Sequence, residues 1–223
     1  MHITEGLLPF WWAVFWWVLT AIILIIGIYQ LNKLVRKNRE VLPLLAVSGA
    51  FIFVLSSLKL PSAVTMSSSH PTGTGLSSFT FGPAITAVLS AIVLLFQAVL
   101  LAHGGITTLG ANCFSMGFFG PLLAWGLYKL LQKTSLPIYF TVFLAAFVAD
   151  LGTYVVTSIQ LALAYGMEHL TFFLGAFAAA QIPLAVIEGL IIVVAFKYIA
   201  KLKGEFLIQT NTVTEEQLNK ITA

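Results

Sequence analysis

Residues 8–29 contain no charged side chain. A helix needs ~20 predominantly apolar residues to cross a bilayer. Comparable apolar stretches recur at about 42–58, 82–102, 112–131, 137–165 and 171–199. With 59% hydrophobic and 9% charged residues, against roughly 25% charged in an ordinary soluble domain, the chain reads as an all-α integral membrane protein. The ~10-residue alternating strands of an outer-membrane barrel are absent. Cys113 is the only cysteine, which excludes an internal disulfide and any CxxC metal or redox site.

Orientation follows from the short loops. Lys33, Arg36, Lys37 and Arg39 cluster after the first span, and basic loops stay in the cytoplasm. The N-terminus is therefore expected outside. The aromatic start of that span, with Trp11, Trp12, Trp16 and Trp17, reads as an interfacial belt. Six crossings would leave Lys129, Lys133, Lys197, Lys201 and Lys203 outside, against the same rule. The conflict disappears if 78–102 crosses twice, as two short helices shielded by their neighbours. Seven spans, N-terminus outside and C-terminus cytoplasmic, are the favoured reading, and six the runner-up. No internal repeat is evident, which gives no support to an inverted-repeat transporter. Residues 1–203 are expected to form a single transmembrane domain, and 204–223 a polar, loosely ordered cytoplasmic tail. The net charge of +3 sits in orienting loops and gives no sign of nucleic-acid binding.

The opening MHITEG lacks the basic start of a signal peptide. With Met1 retained, a free amine, the amide nitrogen of His2 and its imidazole Nδ1 follow one another along the chain. A metal on the amine and amide closes a five-membered ring, and the imidazole adds a six-membered one. Three nitrogens then occupy three corners of a square, a geometry suited to Cu(II) and Ni(II) that Co(II) can follow. His70 lies in the outer loop SSSHPTGTGLSS, where Pro71, Gly73 and Gly75 favour a compact turn, and is the natural fourth donor. Outside such a site, either histidine is simply solvent-exposed.

HGGITTLGAN, 103–112, is a second constellation. His103, Thr107 and Asn112 either hydrogen-bond metal-bound imidazoles, as such partners commonly do, or satisfy a polar hairpin. Ser69 and Thr72 beside His70 have the same two readings. Glu5 either joins them or caps the first helix. Asp150, Glu188 and Gln97 are costly at membrane depth and belong either to a transport pathway or to interhelical networks. Ala46 and Ala50 form a small-xxx-small pair, for an internal contact or a docking face.

The start MHITEG, SHPTGTGL at 69–76, FGP at 81–83 and LLAHGGITTLGANCFSMG at 100–117 together resemble the CbiM family of cobalt transport proteins over roughly residues 1–200. These are substrate-binding (S) components of energy-coupling factor (ECF) transporters, with the nickel-binding NikM proteins as close relatives. The resemblance implies a seven-helix fold, an extra N-terminal helix on a six-helix core. It implies a metal held by the Met1 amine, the amide and imidazole of His2, and His70. It also implies Co(II) as cargo for cobalamin synthesis, with Ni(II) the alternative, and as partners the coupling subunit CbiQ, the ATPase CbiO and the small membrane protein CbiN. The chain has no Walker A pattern, so it is expected to be a cell-membrane transporter subunit and not an enzyme. An intramembrane metalloenzyme is the remote alternative, since it would need an open metal position and a general base.

Overall fold

The computed structural model describes residues 2–62 and 67–222. Met1, the proposed source of the amine donor, lies outside the described residues. α1 (Phe10–Lys37) follows Pro9, whose fixed φ suits a helix start. α2 (Leu42–Ser57) leads into a short antiparallel hairpin, β1 (Leu60–Ser62) with β2 (Ser67–Ser69). α3 (Thr74–Phe81) and α4 (Pro83–Leu101) follow. α5 (Leu109–Asn112), a π-helical segment (Cys113–Phe119) and α6 (Gly120–Leu131) form one continuous helical run. α7 (Ile138–Tyr165) and α8 (Leu170–Gln209) pack along each other, and α9 (Glu215–Thr222) closes the described chain.

Among the described residues, five helices are long and apolar enough to cross a membrane: α1, α2, α4, α7 and α8. The protein is a multi-pass membrane protein. Its outward surface carries large apolar side chains such as Trp11, Ile25, Val99 and Leu202, as contact with lipid requires. Its interior holds the hydroxyls. Ser56, Thr80, Thr153 and Thr157 each donate to the carbonyl four residues back, so a buried Ser or Thr needs no outside partner.

Residues 78–102 differ from expectation. They divide into two helices of unequal length, and α4 alone takes nineteen residues. The break falls at Gly82, with φ of +85°, a value that glycine adopts without steric cost. The arm before it, α3, has eight residues, all buried, and starts within the stretch read as loop. Gly75 does not break it. There a Cβ would meet Ile192 Cδ1 at 3.2 Å, so glycine lets α3 lie close to α8. His70 before α3 and His103 after α4 have ring centroids 5.0 Å apart. The two arms therefore leave and return to one end of the bundle.

Residues 204–222, expected to be part of a loosely ordered tail, are largely helical. α8 continues past a non-helical Lys203, and the chain then turns inward at buried Thr212 and Val213. The Tyr128 hydroxyl donates to the Thr212 carbonyl at 2.7 Å, and the Thr212 hydroxyl donates to the Phe79 carbonyl at 3.1 Å. The Gln217 amide donates to the Thr214 hydroxyl and the Thr214 amide to the Gln217 side chain, a reciprocal cap on α9. Thr-Glu-Glu-Gln at 214–217 is the sequence signal for that cap, masked by the polar composition around it. Ala46 and Ala50 are exposed on α2.

Of the 11 Lys and Arg residues, only Lys59 lies at the end of the bundle that holds His70 and His103. The 102–108 turn and the 132–137 turn therefore sit at opposite ends. Ile106→Cys and Ser135→Cys, at exposed positions, are expected to react with an impermeant thiol reagent from opposite sides of the membrane. Cys113 is fully buried and stays silent. Labelling of both sites from one side would refute this arrangement.

Candidate metal centre

Three segments that are neither membrane-spanning nor helical converge at one end of the bundle: the N-terminal strand, the 67–73 loop and the 102–108 turn. The first is held through its backbone. Asn112 accepts from the Ile3 amide at 2.7 Å and donates to the Ile3 carbonyl at 3.0 Å, so one side-chain amide stands in for a β-strand neighbour. The Thr108 hydroxyl also donates to the Ile3 carbonyl. Ile3 itself is wholly buried among Leu8, Trp16, Ala111, Leu161 and Phe177, which anchors the segment by its side chain as well.

Glu5 ties the N-terminal segment to the 102–108 turn. Its carboxylate accepts from the amide and the hydroxyl of Thr107, and its own amide donates to the Gly104 carbonyl. It does not cap α1, for which no side-chain cap is formed. A Cβ at Gly105 would lie 2.6 Å from the Glu5 Cα, so the approach requires glycine. Glu5 and Thr107 are exposed, whereas Asn112 and Thr72 are buried.

These tethers bring His2, His70 and His103 together. One nitrogen from each lies within 4.8 Å of the others, and all three residues are at most 3% exposed. The rings of His2 and His70 stack at 4.4 Å. His2 Nδ1 is 3.1 Å from His103 Nε2, which also lies 2.7 Å from the Ser68 hydroxyl. His2 bridges the backbone of Ser68, which places the N-terminal strand against the hairpin. His70 Nδ1 donates to the Pro71 carbonyl at 2.8 Å. A carbonyl can only accept, so the proton is on Nδ1 and His70 Nε2 presents its lone pair. That Nε2, His103 Nδ1 and the Ser69 hydroxyl are buried without a hydrogen-bond partner among the described residues.

Burial holds all three imidazoles below the ordinary histidine pKa, that of His103 at about 3. For His2 the neighbouring His70 and His103 add to the effect. The rings are therefore neutral at pH 7, the form that binds a metal. Three neutral imidazoles, closely spaced and with an orphaned lone pair, suit a divalent transition ion.

The fourth histidine, His169, is exposed beside Glu168 and takes no part. Four contributors carry little signal in the sequence. Ser68 is one of three consecutive serines, Gln181 sits unremarked in a long apolar helix, and Glu188 and Asp150 are visible only as misplaced carboxylates. Gln97 donates to Ser56 at 2.7 Å and Ser57 at 3.1 Å, an interhelical network joining α4 to α2.

A family model for the cobalt uptake substrate-specific transmembrane region matches residues 2–206. A putative cobalt transport protein from Methanosarcina barkeri is 54% identical, the alignment covering 99% of this chain and 98% of that one. A cobalt transport protein from Chlorobium limicola is 50% identical over 97% of this chain and 87% of its own length. Among solved structures, a transition metal transporter superposes with a TM-score of 0.83 at 25% identity, covering 91% of this chain and 93% of the other.

Replacing Asn112 by Ala leaves the buried Ile3 amide without its acceptor. An unsatisfied buried donor costs about 1–3 kcal/mol, so equilibrium unfolding in mixed micelles is expected to show a loss of that size. A change within about 0.5 kcal/mol, the usual effect of a surface substitution, would show that Asn112 does not hold the N-terminal strand.

Proposed function

The chain belongs to the CbiM family, and on that premise we propose that it is the metal-capturing S component of an ATP-driven ECF importer, taking up Co(II) across the cell membrane for cobalamin synthesis. The observation that carries this reading is the buried group of His2, His70 and His103 at the end of the bundle away from the basic residues. By the positive-inside rule that end faces outward, where an importer must meet its cargo. The family is one of cobalt uptake and the similar proteins are named for cobalt transport, which favours cobalt over nickel.

In this reading the Met1 amine, the His2 amide and Nδ1, and His70 Nε2 bind the ion. His103 packs edge-on against the His2 ring, and Ser68 holds His103. Asn112, Thr108 and Glu5 preset the N-terminal segment, so little ordering remains when the ion arrives. Intrinsic affinity of nitrogen donors favours Ni(II) over Co(II), and four nitrogens in a square suit Ni(II), which makes nickel the second reading. The exposed Ala46 and Ala50 on α2 leave a smooth stripe for close approach of another helix, and we assign it to the coupling subunit CbiQ. ATP hydrolysis belongs to CbiO, and CbiN completes the assembly.

In cells carrying the whole transporter, His2→Ala, His70→Ala and a single residue inserted after Met1 are each expected to reduce labelled cobalt uptake to the background of cells lacking it. The insertion keeps every side chain and changes only the chelate spacing. Normal uptake by that variant would remove the N-terminal chelate from the mechanism. Competition by excess Ni(II) or Co(II) in the same assay separates the two cargo readings.

A further inference from the structure

Two carboxylates lie buried in the membrane-spanning helices beneath the His70 loop, and the metal-binding reading does not by itself use them. Glu188, midway along α8, is fully buried. Its Oε2 accepts from the Thr72 amide at 2.5 Å, and its Oε1 accepts from the Thr72 hydroxyl at 2.7 Å and the Gly73 amide at 2.8 Å. Gly73 has φ of +70°. Successive amides that converge through a left-handed residue form a concave anion-binding nest, and here one carboxylate fills it.

That left-handed turn is also sterically confined. A Cβ at Gly73 would lie 3.1 Å from the Ile52 backbone and 3.3 Å from Leu55. The loop is thus pinched between α2 on one side and Glu188 on the other. A second tether runs from α8 and is braced by α7: Gln181 Nε2 donates to both Asp150 oxygens, at 2.8 and 2.7 Å, and to the His70 carbonyl at 3.1 Å. All three partners are acceptors, which fixes the orientation of that amide. Residues 70–73 are thus reached by Glu188 directly and by Gln181, which the Asp150 carboxylate braces.

Resting on the assignment of His70 as a metal ligand, we propose that Glu188 is a positioning residue for the cargo site. Its carboxylate locks the 70–73 turn so that His70 Nε2 is aimed at His2, with the Asp150–Gln181 pair steadying the His70 carbonyl behind it. His2 and His103 are set by the N-terminal half of the bundle through Asn112 and Ser68. His70 is set by α7 and α8. The metal site therefore closes only when the two halves are in register, and Glu188 is the side chain that transmits that register.

A carboxamide cannot replace Glu188 in either orientation. One places its NH2 against the Thr72 amide, the other against the Gly73 amide, so a donor always faces a donor. The test titrates the purified full-length chain with CoCl2 and follows the visible d–d bands, which report ligand geometry, alongside circular dichroism. Glu188→Gln is expected to keep the helical signal, shift the bands and weaken Co(II) binding about 10–100-fold, the usual cost of losing a partner that orients a metal ligand. Gln181→Met is expected to shift the bands the same way.

His70→Ala is the control that separates the two readings. If His70→Ala abolishes the bands while Glu188→Gln leaves bands and affinity unchanged, Glu188 is structural only and the proposal is overturned. If His70→Ala binds Co(II) like the parent, the ligand assignment itself is wrong and the proposal falls with it. Should Glu188→Gln fail to fold, Thr72→Val, which deletes one donor to Glu188, decides the matter: shifted bands support the role and unchanged bands refute it.

Discussion

Where the surroundings are hydrocarbon, every backbone amide and carbonyl must find its partner within the protein. The helices meet this constraint by themselves, and the segments around the histidines do not. The 2–8 segment, the 67–73 loop and the 102–108 turn enter the bundle as irregular backbone, and polar side chains meet its amides and carbonyls. Asn112 takes both backbone groups of Ile3, Glu188 takes the amides of Thr72 and Gly73, and Gln181 takes the carbonyl of His70. The buried polar residues that look misplaced in a membrane protein are the ones that make irregular backbone tolerable there.

The same arrangement sets the chemistry of the site. Removing three imidazoles from water disfavours their charged forms, so they remain neutral and closely packed. The Pro71 carbonyl fixes the proton on His70 Nδ1 and leaves Nε2 facing the other rings. A site assembled in this way has its donors oriented in advance. It also depends on helices far apart in the chain, because the loop that carries His70 is held by Glu188 and Gln181 of α8.

Much of the architecture was legible. Uninterrupted apolar runs with basic loops between them specify a helical multi-pass bundle, and α1, α2, α7 and the start of α8 fall close to the stretches read from hydropathy. Short-range polar sequence misled. Thr74–Phe81 reads as loop because Ser, Thr and Gly dominate it, yet it is a buried helix, since its neighbours and its own carbonyls satisfy those hydroxyls. The 204–223 stretch reads as loose because it is polar, yet Leu207, Val213 and Ile221 join the core and the 214–217 cap organises its last helix.

The sequence by itself determined the membrane class, the end of the bundle that carries positive charge, and a set of candidate site residues, with His2 and His70 as donors and His103 as a partner beside them. Those properties are local: hydropathy, charge and the chelate spacing at residues 1–2 act within a few residues of one another. Only the tertiary structure decided that His103 and not His169 stands with His2 and His70, and that Glu188 and Asp150 serve the His70 loop. Such contacts join residues more than 30 positions apart, as Ser68 to His103 and Thr72 to Glu188. They exist because helix packing brings separate loops to one point, and no periodicity along the chain encodes that meeting.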